Sequence, residues 1–128
     1  MANLSQGDVL RLAQDTDLPQ IRAGNSHAFN DIWIVVAEKR LFCRQYDFSE
    51  RSWYTAFLED PVGAVKFGET VVEVRGVVPD DLDAINPAVN QAYIDKYDGH
   101  ADYPTIAREM TGARFMARTM ELVPALHE

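Results

Sequence analysis

An α+β domain, in which a small antiparallel barrel or curled sheet of about six strands carries helices at its rim, is the fold class that the sequence predicts. Three observations lead there. Val62 to Phe67 and Thr70 to Val78 read as strands joined by Gly68-Glu69, and a glycine at the first central position suits a type II′ hairpin turn. Ile32 to Ala37 and Arg40 to Tyr46 read as a second pair of neighbouring strands. Helical patterns stand at the start, in the middle and near the end of the chain, without the strand–helix–strand rhythm of a parallel sheet.

The elements follow in order. Ser5 to Gln14 has a helical stripe of Val9, Leu10, Leu12 and Ala13, and Ser5 with Asp8 forms an N-terminal capping pattern. Pro19 to Ala23 reads as a short strand, Gly24-Asn25 as a turn, and His27 with Phe29 as a further short strand. Ile32 to Ala37 is an unbroken apolar run, which fits a strand buried on both faces or one covered by a partner. In the next strand Leu41, Cys43 and Gln45 share one face, and Arg40, Phe42, Arg44 and Tyr46 the other. The link at Glu38-Lys39 lacks Asn-Gly or Asp-Gly, so a bulged or three-residue loop is expected.

A helix starts near Asp47 or Ser49, with Glu50 completing a capping box on Asp47, and it buries Trp53 with Phe57 and Tyr54 with Leu58 before Pro61. Beyond the second hairpin, Pro79-Asp80-Asp81 opens a short helical stretch. Asn86-Pro87 reads as an N-cap with proline at the first position of a helix running to about Tyr97, where Gly99 stops it. Pro104 to Met110 is a short helix closed by Gly112, and Arg114 to Val123 is the last strand.

The 128 residues make one domain, with an N-terminal helix in 1–18 and the sheet core in 19–124. No apolar run is long enough to span a membrane, and Met1 to Gln14 lacks the pattern of a secretory signal. Cys43 is the sole cysteine, which excludes an internal disulfide and fits a reducing cytoplasm. It reads as a small core residue, since no histidine is near in sequence to activate it. The net charge is −8, divided as −2 over residues 1–37, zero over 38–66 and −6 over 67–128. Such a chain repels a phosphate backbone, so nucleic acid is not an expected partner. The neutral middle segment disfavours a bound anion least.

Chemistry-bearing motifs are sparse. Phosphate-loop, dinucleotide-fold, zinc-protease and nucleophile-elbow motifs are absent. His27, His100 and His127 are far apart, so no metal site is expected. Asp80-Asp81 and Asp98 with Asp102 read as helix-start and loop acids, and Tyr93, Tyr97 and Tyr103 as helix packing or a pocket lining. The one constellation worth following is Arg44, Arg51, Ser52 and Lys66. The order hairpin, helix, hairpin brings them within reach of one another, and a helix start beside arginines suits a phosphate. The competing reading is a solvated basic face.

Phe42-Cys43-Arg44, then Glu50-Arg51-Ser52-Trp53-Tyr54 opening a helix, then Pro61-Val62-Gly63 in a hairpin, resembles the FMN-binding split-barrel superfamily. The resemblance is nearest to its small deazaflavin-dependent nitroreductase-like branch. With Ala92-Tyr93, Lys96-Tyr97 and Leu122-Val123-Pro124 added, the chain is similar to a related bacterial family of unknown function (DUF2255-like). The resemblance spans residues 19–124 and implies a six-stranded split β-barrel, a homodimer and FMN or a deazaflavin between the subunits. Arg44, Arg51 and Ser52 match positions near the cofactor phosphate, and Trp53 the aromatic at the helix start. Lys66 joins them on hairpin geometry alone. Asp47 and Glu50 depart from the pattern, because carboxylates weaken a phosphate site. The implied function is a flavin- or deazaflavin-dependent oxidoreductase. The alternatives are a non-catalytic module for flavin, haem or a nucleotide, and a dimeric scaffold with a degenerate site.

Overall fold

Seven antiparallel strands form one curled sheet, with helices packed on its outer face and at its open ends. The computed structural model describes residues 4–24, 29–44, 53–100 and 105–125. The elements are α1 (Gln6–Asp15), β1 (Gln20–Ala23), β2 (Asn30–Asp31), β3 (Ile34–Ala37), β4 (Arg40–Arg44), α2 (Trp53–Glu59), β5 (Val62–Phe67), β6 (Thr70–Val77), α3 (Leu82–Tyr97), α4 (Ile106–Met110), α5 (Ala113–Met116) and β7 (Thr119–Pro124). Strand order is β2-β1-β5-β6-β7-β4-β3. The α+β class and the curled antiparallel sheet agree with the sequence reading. Among the described residues the strand count is seven rather than six.

The two edge strands, β2 and β3, are consecutive in the chain. Only Ile32 and Trp33 separate Asp31 from Ile34, so those two ends of the sheet lie within about 11 Å of one another. That constraint curls the sheet. It also corrects the expectation of a single strand over Ile32 to Ala37, because its first two residues cross from one edge to the other. The gap is filled by α1, which packs along β3 and turns Val9 and Ala13 into the barrel core. The cap expected at Ser5 is present, with Ser5 and Asp8 bonding each other's backbone N–H.

The period-two alternation of the strands sorts the core into two layers. Ile34, Leu41, Cys43, Val65, Val74, Met120 and Leu122 fill the barrel, while Val35, Ala37 and Phe42 face outward against Ile85, Val89, Tyr93 and Tyr97 of α3. The apolar strand is thus buried on both faces by its own chain. Phe57 of α2 plugs one barrel end, and Gly63 and Gly76 make room for it. A Cβ at Gly63 would lie 2.6 Å from the Phe57 ring, and one at Gly76 2.7 Å from it.

Three local expectations need correction. Ala37 pairs with Arg40 across Glu38-Lys39, and both turn residues have positive φ (51° and 63°). This is a two-residue turn of the type I′ kind, not a bulged loop, because the strong twist of β3–β4 outweighs the cost of two side chains in left-handed backbone. Asn86 is not a cap. The helix starts at Leu82 and runs through Pro87, and the Asn86 side chain turns inward to Arg44. Residues 113–116 are helical rather than the start of the last strand, where Ala, Arg and Met favour the helix. The Gly68 turn is as expected, with φ of +63° at the first central residue. The helix start at Asp47, Ser49 and Glu50, and the readings on Gln45, Tyr46, His27, Asp102, Tyr103 and His127, lie outside the described residues.

Gly76→Ala is expected to lose about 1–3 kcal/mol of stability, because its methyl has to displace both Phe57 and the Met120 sulfur, 2.9 Å away. A shift in the urea midpoint checks this, and an unchanged midpoint would mean that Phe57 is not seated against β6.

Candidate functional site

Arg44 ends β4 on the outer face and lies under α3, 1% exposed. Its neighbours across the ladder and on the helices are all neutral. Nε donates to Thr119 Oγ1 (2.9 Å), Nη1 to Asn90 Oδ1 and to Met110 O, and Nη2 to Asn86 Oδ1 (2.9 Å) with a longer approach to Asn86 O (3.4 Å). Its backbone N–H donates to Tyr93 Oη (3.1 Å), which in turn donates to Trp33 O (2.7 Å). Burial pushes the guanidinium down to about 10, while Tyr93 pulls it back up. A guanidinium has five N–H donors, and these acceptors account for all of them. None is left for a phosphate.

The other positions singled out from sequence do not converge on it. Trp53 begins α2 at the barrel mouth, half-buried against the interior cluster. Lys66 projects from the outer face of β5, where its Nζ lies 6.0 Å from the centre of the Phe29 ring, beside Arg22 at 4.5 Å. Arg44, Trp53 and Lys66 therefore occupy three separate places. Arg51 and Ser52 lie outside the described residues, although they immediately precede Trp53 in the chain.

A different grouping stands at the mouth. Trp53 meets Tyr54 and Phe57 edge-on, with ring centres 6.1 and 6.3 Å apart. The Arg118 guanidinium carbon lies 5.3 Å from the Tyr54 ring centre. Arg118 precedes Thr119, so β7 sends one residue to the Arg44 network and holds the other beside α2. The chain leaves β4 at Arg44 and returns at Trp53, close to this cluster. Sequence reasoning missed Arg118 because its partner Tyr54 is 64 residues away and no local spacing links them.

The reactive groups are withdrawn from the mouth. Cys43 is buried, and desolvation holds its thiol well above its ordinary value. Burial does the same to Tyr93, with Cys43 adding to it. Arg40 grips Asp81 through two nitrogens at 3.0 Å and Glu121 at 2.8 Å, and its hydrogen bonds hold the Asp81 carboxyl below the usual range. Among the described residues no three His, Cys, Asp or Glu side chains gather as a metal would need. No helix among them is long and apolar enough to cross a membrane.

The family model described as an uncharacterised protein conserved in bacteria (DUF2255) matches residues 8–122. The chain belongs to this family. No curated protein matches it. The match runs from Asp8 of α1 into β7 and includes the Arg44 network, Trp53, Tyr54 and Arg118, so all of these lie inside the DUF2255 unit.

Lys96 is a second cation, half-buried. Its Nζ donates to Ala13 O (2.7 Å), Thr16 O (2.9 Å) and Ile34 O (2.7 Å), tying α3 to the end of α1 and to β3. Burial lowers the ammonium to about 8, against the upward pull of Asp17 and Asp15. The unfolded chain keeps this proton up to its ordinary value of 10.5, and the folded chain releases it near 8. The unfolded state thus binds more protons across that window, so this group makes stability rise with pH there. Relative to Lys96→Met, the wild-type urea midpoint is expected to climb between pH 8 and 10 by an amount on the order of 1–3 kcal/mol. Parallel pH profiles for the two proteins would contradict it.

Proposed function

We propose that this DUF2255 member binds a flat, anionic aromatic ligand of the flavin class, FMN or a deazaflavin, at the barrel mouth formed by Trp53, Tyr54 and Arg118. The observation that carries this reading is the Arg118 guanidinium over the Tyr54 ring, with Trp53 beside it. Arg44 does not fit, since its N–H groups are all taken by the protein. A cation and an aromatic surface at one mouth do fit, because an arginine pairs with phosphate and an indole stacks on a planar ring. Lys66 stays outside the proposed site. Arg51 and Ser52 remain part of it on the resemblance alone.

A bound flavin supplies hydride transfer, and the chain's own residues bind and orient it. In this scheme Arg118 balances ligand charge and Trp53 covers one face of the ring. A second reading, a binding module without turnover that takes a flavin, haem or nucleotide, is favoured by one observation. The thiol of Cys43 and the phenol of Tyr93 are sealed in the interior, where neither reaches a ligand at the mouth. The split-barrel relationship, the homodimer and a cytoplasmic location belong to the same proposal. The dimer is checked by light scattering at micromolar concentration, where a monomer would remove it.

Titration with FMN and with a deazaflavin, followed by tryptophan fluorescence, separates these outcomes. Saturable micromolar quenching is expected, lost in Trp53→Phe, kept in Trp33→Phe, and weakened about tenfold or more in Arg118→Ala. Quenching without reductant oxidation would select the binding module. If neither ligand binds, the proposal fails.

A further inference from the structure

Along the β3 edge of the sheet lies a groove of about 500 Å³ between the last turn of α1 and the flank of α3, with β3 as its floor. Val35, Val36 and Ala37 line the floor, and the small side chains of Ala88 and Ala92 keep the α3 wall low. Arg40, paired with Ala37 at the end of β3, bonds Asp81 before the start of α3, and Lys96 near the end of α3 bonds Ile34 O at the start of β3, so α3 runs opposite to β3. Glu38, just beyond the end of β3, therefore sits at the Ala88 end of the groove, and Asp95 at the other. The rise from Ala88 to Asp95 along α3 is about 10 Å.

Both carboxylates are exposed and both line the groove. Gln91 donates to one Asp95 oxygen at 2.8 Å, which holds that side chain at the wall. The one cation lining the groove, Lys96, has its three N–H donors committed to carbonyl oxygens. An apolar trough about 10 Å long with a carboxylate at each end matches a molecule with an apolar stem and a cation at each end.

We propose that this groove binds a linear organic dication, an α,ω-diamine whose ammonium groups pair with Glu38 and Asp95 and whose methylene stem lies on Ala37, Ala88 and Ala92. This site stands apart from the barrel mouth and does not depend on what binds there. Its apolar contact is small, and its two ion pairs are partly solvated, so a high-micromolar affinity is expected.

The test is titration of the full chain with ethylenediamine, cadaverine, hexamethylenediamine and octamethylenediamine, with hexylamine as the single-charge control, read from methyl NMR shifts of Ala37, Ala88 and Ala92. The expected result is saturable binding with an optimum in chain length and at least tenfold weaker binding of hexylamine. Glu38→Gln with Asp95→Asn should abolish it. Ala92→Leu, which fills the trough and leaves both charges, should abolish it too. Absence of saturable shifts, a response independent of diamine length, or one that survives either variant would overturn the proposal. Capture of a lysine-rich peptide with no response to any diamine would also overturn it and assign the groove to a protein partner.

Discussion

A buried guanidinium with no carboxylate beside it is the constraint on which the rest of the structure depends. Removing an arginine from water costs several kcal/mol unless its hydrogen bonds are replaced. Here the replacements are two amides, a hydroxyl and backbone carbonyls, drawn from α3, β7 and the end of α4. Met110 O is a helix-terminal carbonyl, left without an intrahelical donor and rich in partial negative charge. These oxygens arrive from three separate parts of the chain. The guanidinium therefore fixes where α3, α4 and β7 stand relative to β4, and it ties their order to the barrel.

Lys96 repeats the device in the last turn of α3. Its ammonium is held by carbonyls from α1 and β3. A protein with a net charge of −8 thus buries one cation fully and another in part, and bonds neither directly to a carboxylate. Both sit on the helix-packed outer layer, and the barrel interior is left to apolar side chains and Phe57.

What was legible in the sequence is what local chemistry decides. The Ser5–Asp8 cap, the Gly68 turn and the strict alternation of Leu41 and Cys43 against Phe42 and Arg44 all follow from neighbours in the chain. What was not legible depends on distant partners. Ile32 and Trp33 look like strand, but closure of the sheet makes them a crossing. Glu38 and Lys39 lack the turn residues that their backbone wants, and the pairing of β3 with β4 imposes it. Asn86 reads as a cap because proline follows it, yet its amide is needed by Arg44. One signal was available. Asn86, Asn90, Tyr93 and Tyr97 recur on one face of α3, and a polar stripe inside a packed helix asks for a buried partner.

The same residue carries the central claim. If Arg44 is an internal pin and not a ligand donor, its own N–H groups report it. Heteronuclear NMR of the Arg44 guanidinium, with and without FMN, is the most direct measurement. Separately resolved, slowly exchanging Nε and Nη protons that do not move at saturating FMN are the expected result. A single averaged, fast-exchanging signal, or one that shifts on adding FMN, would contradict it and return Arg44 to the ligand.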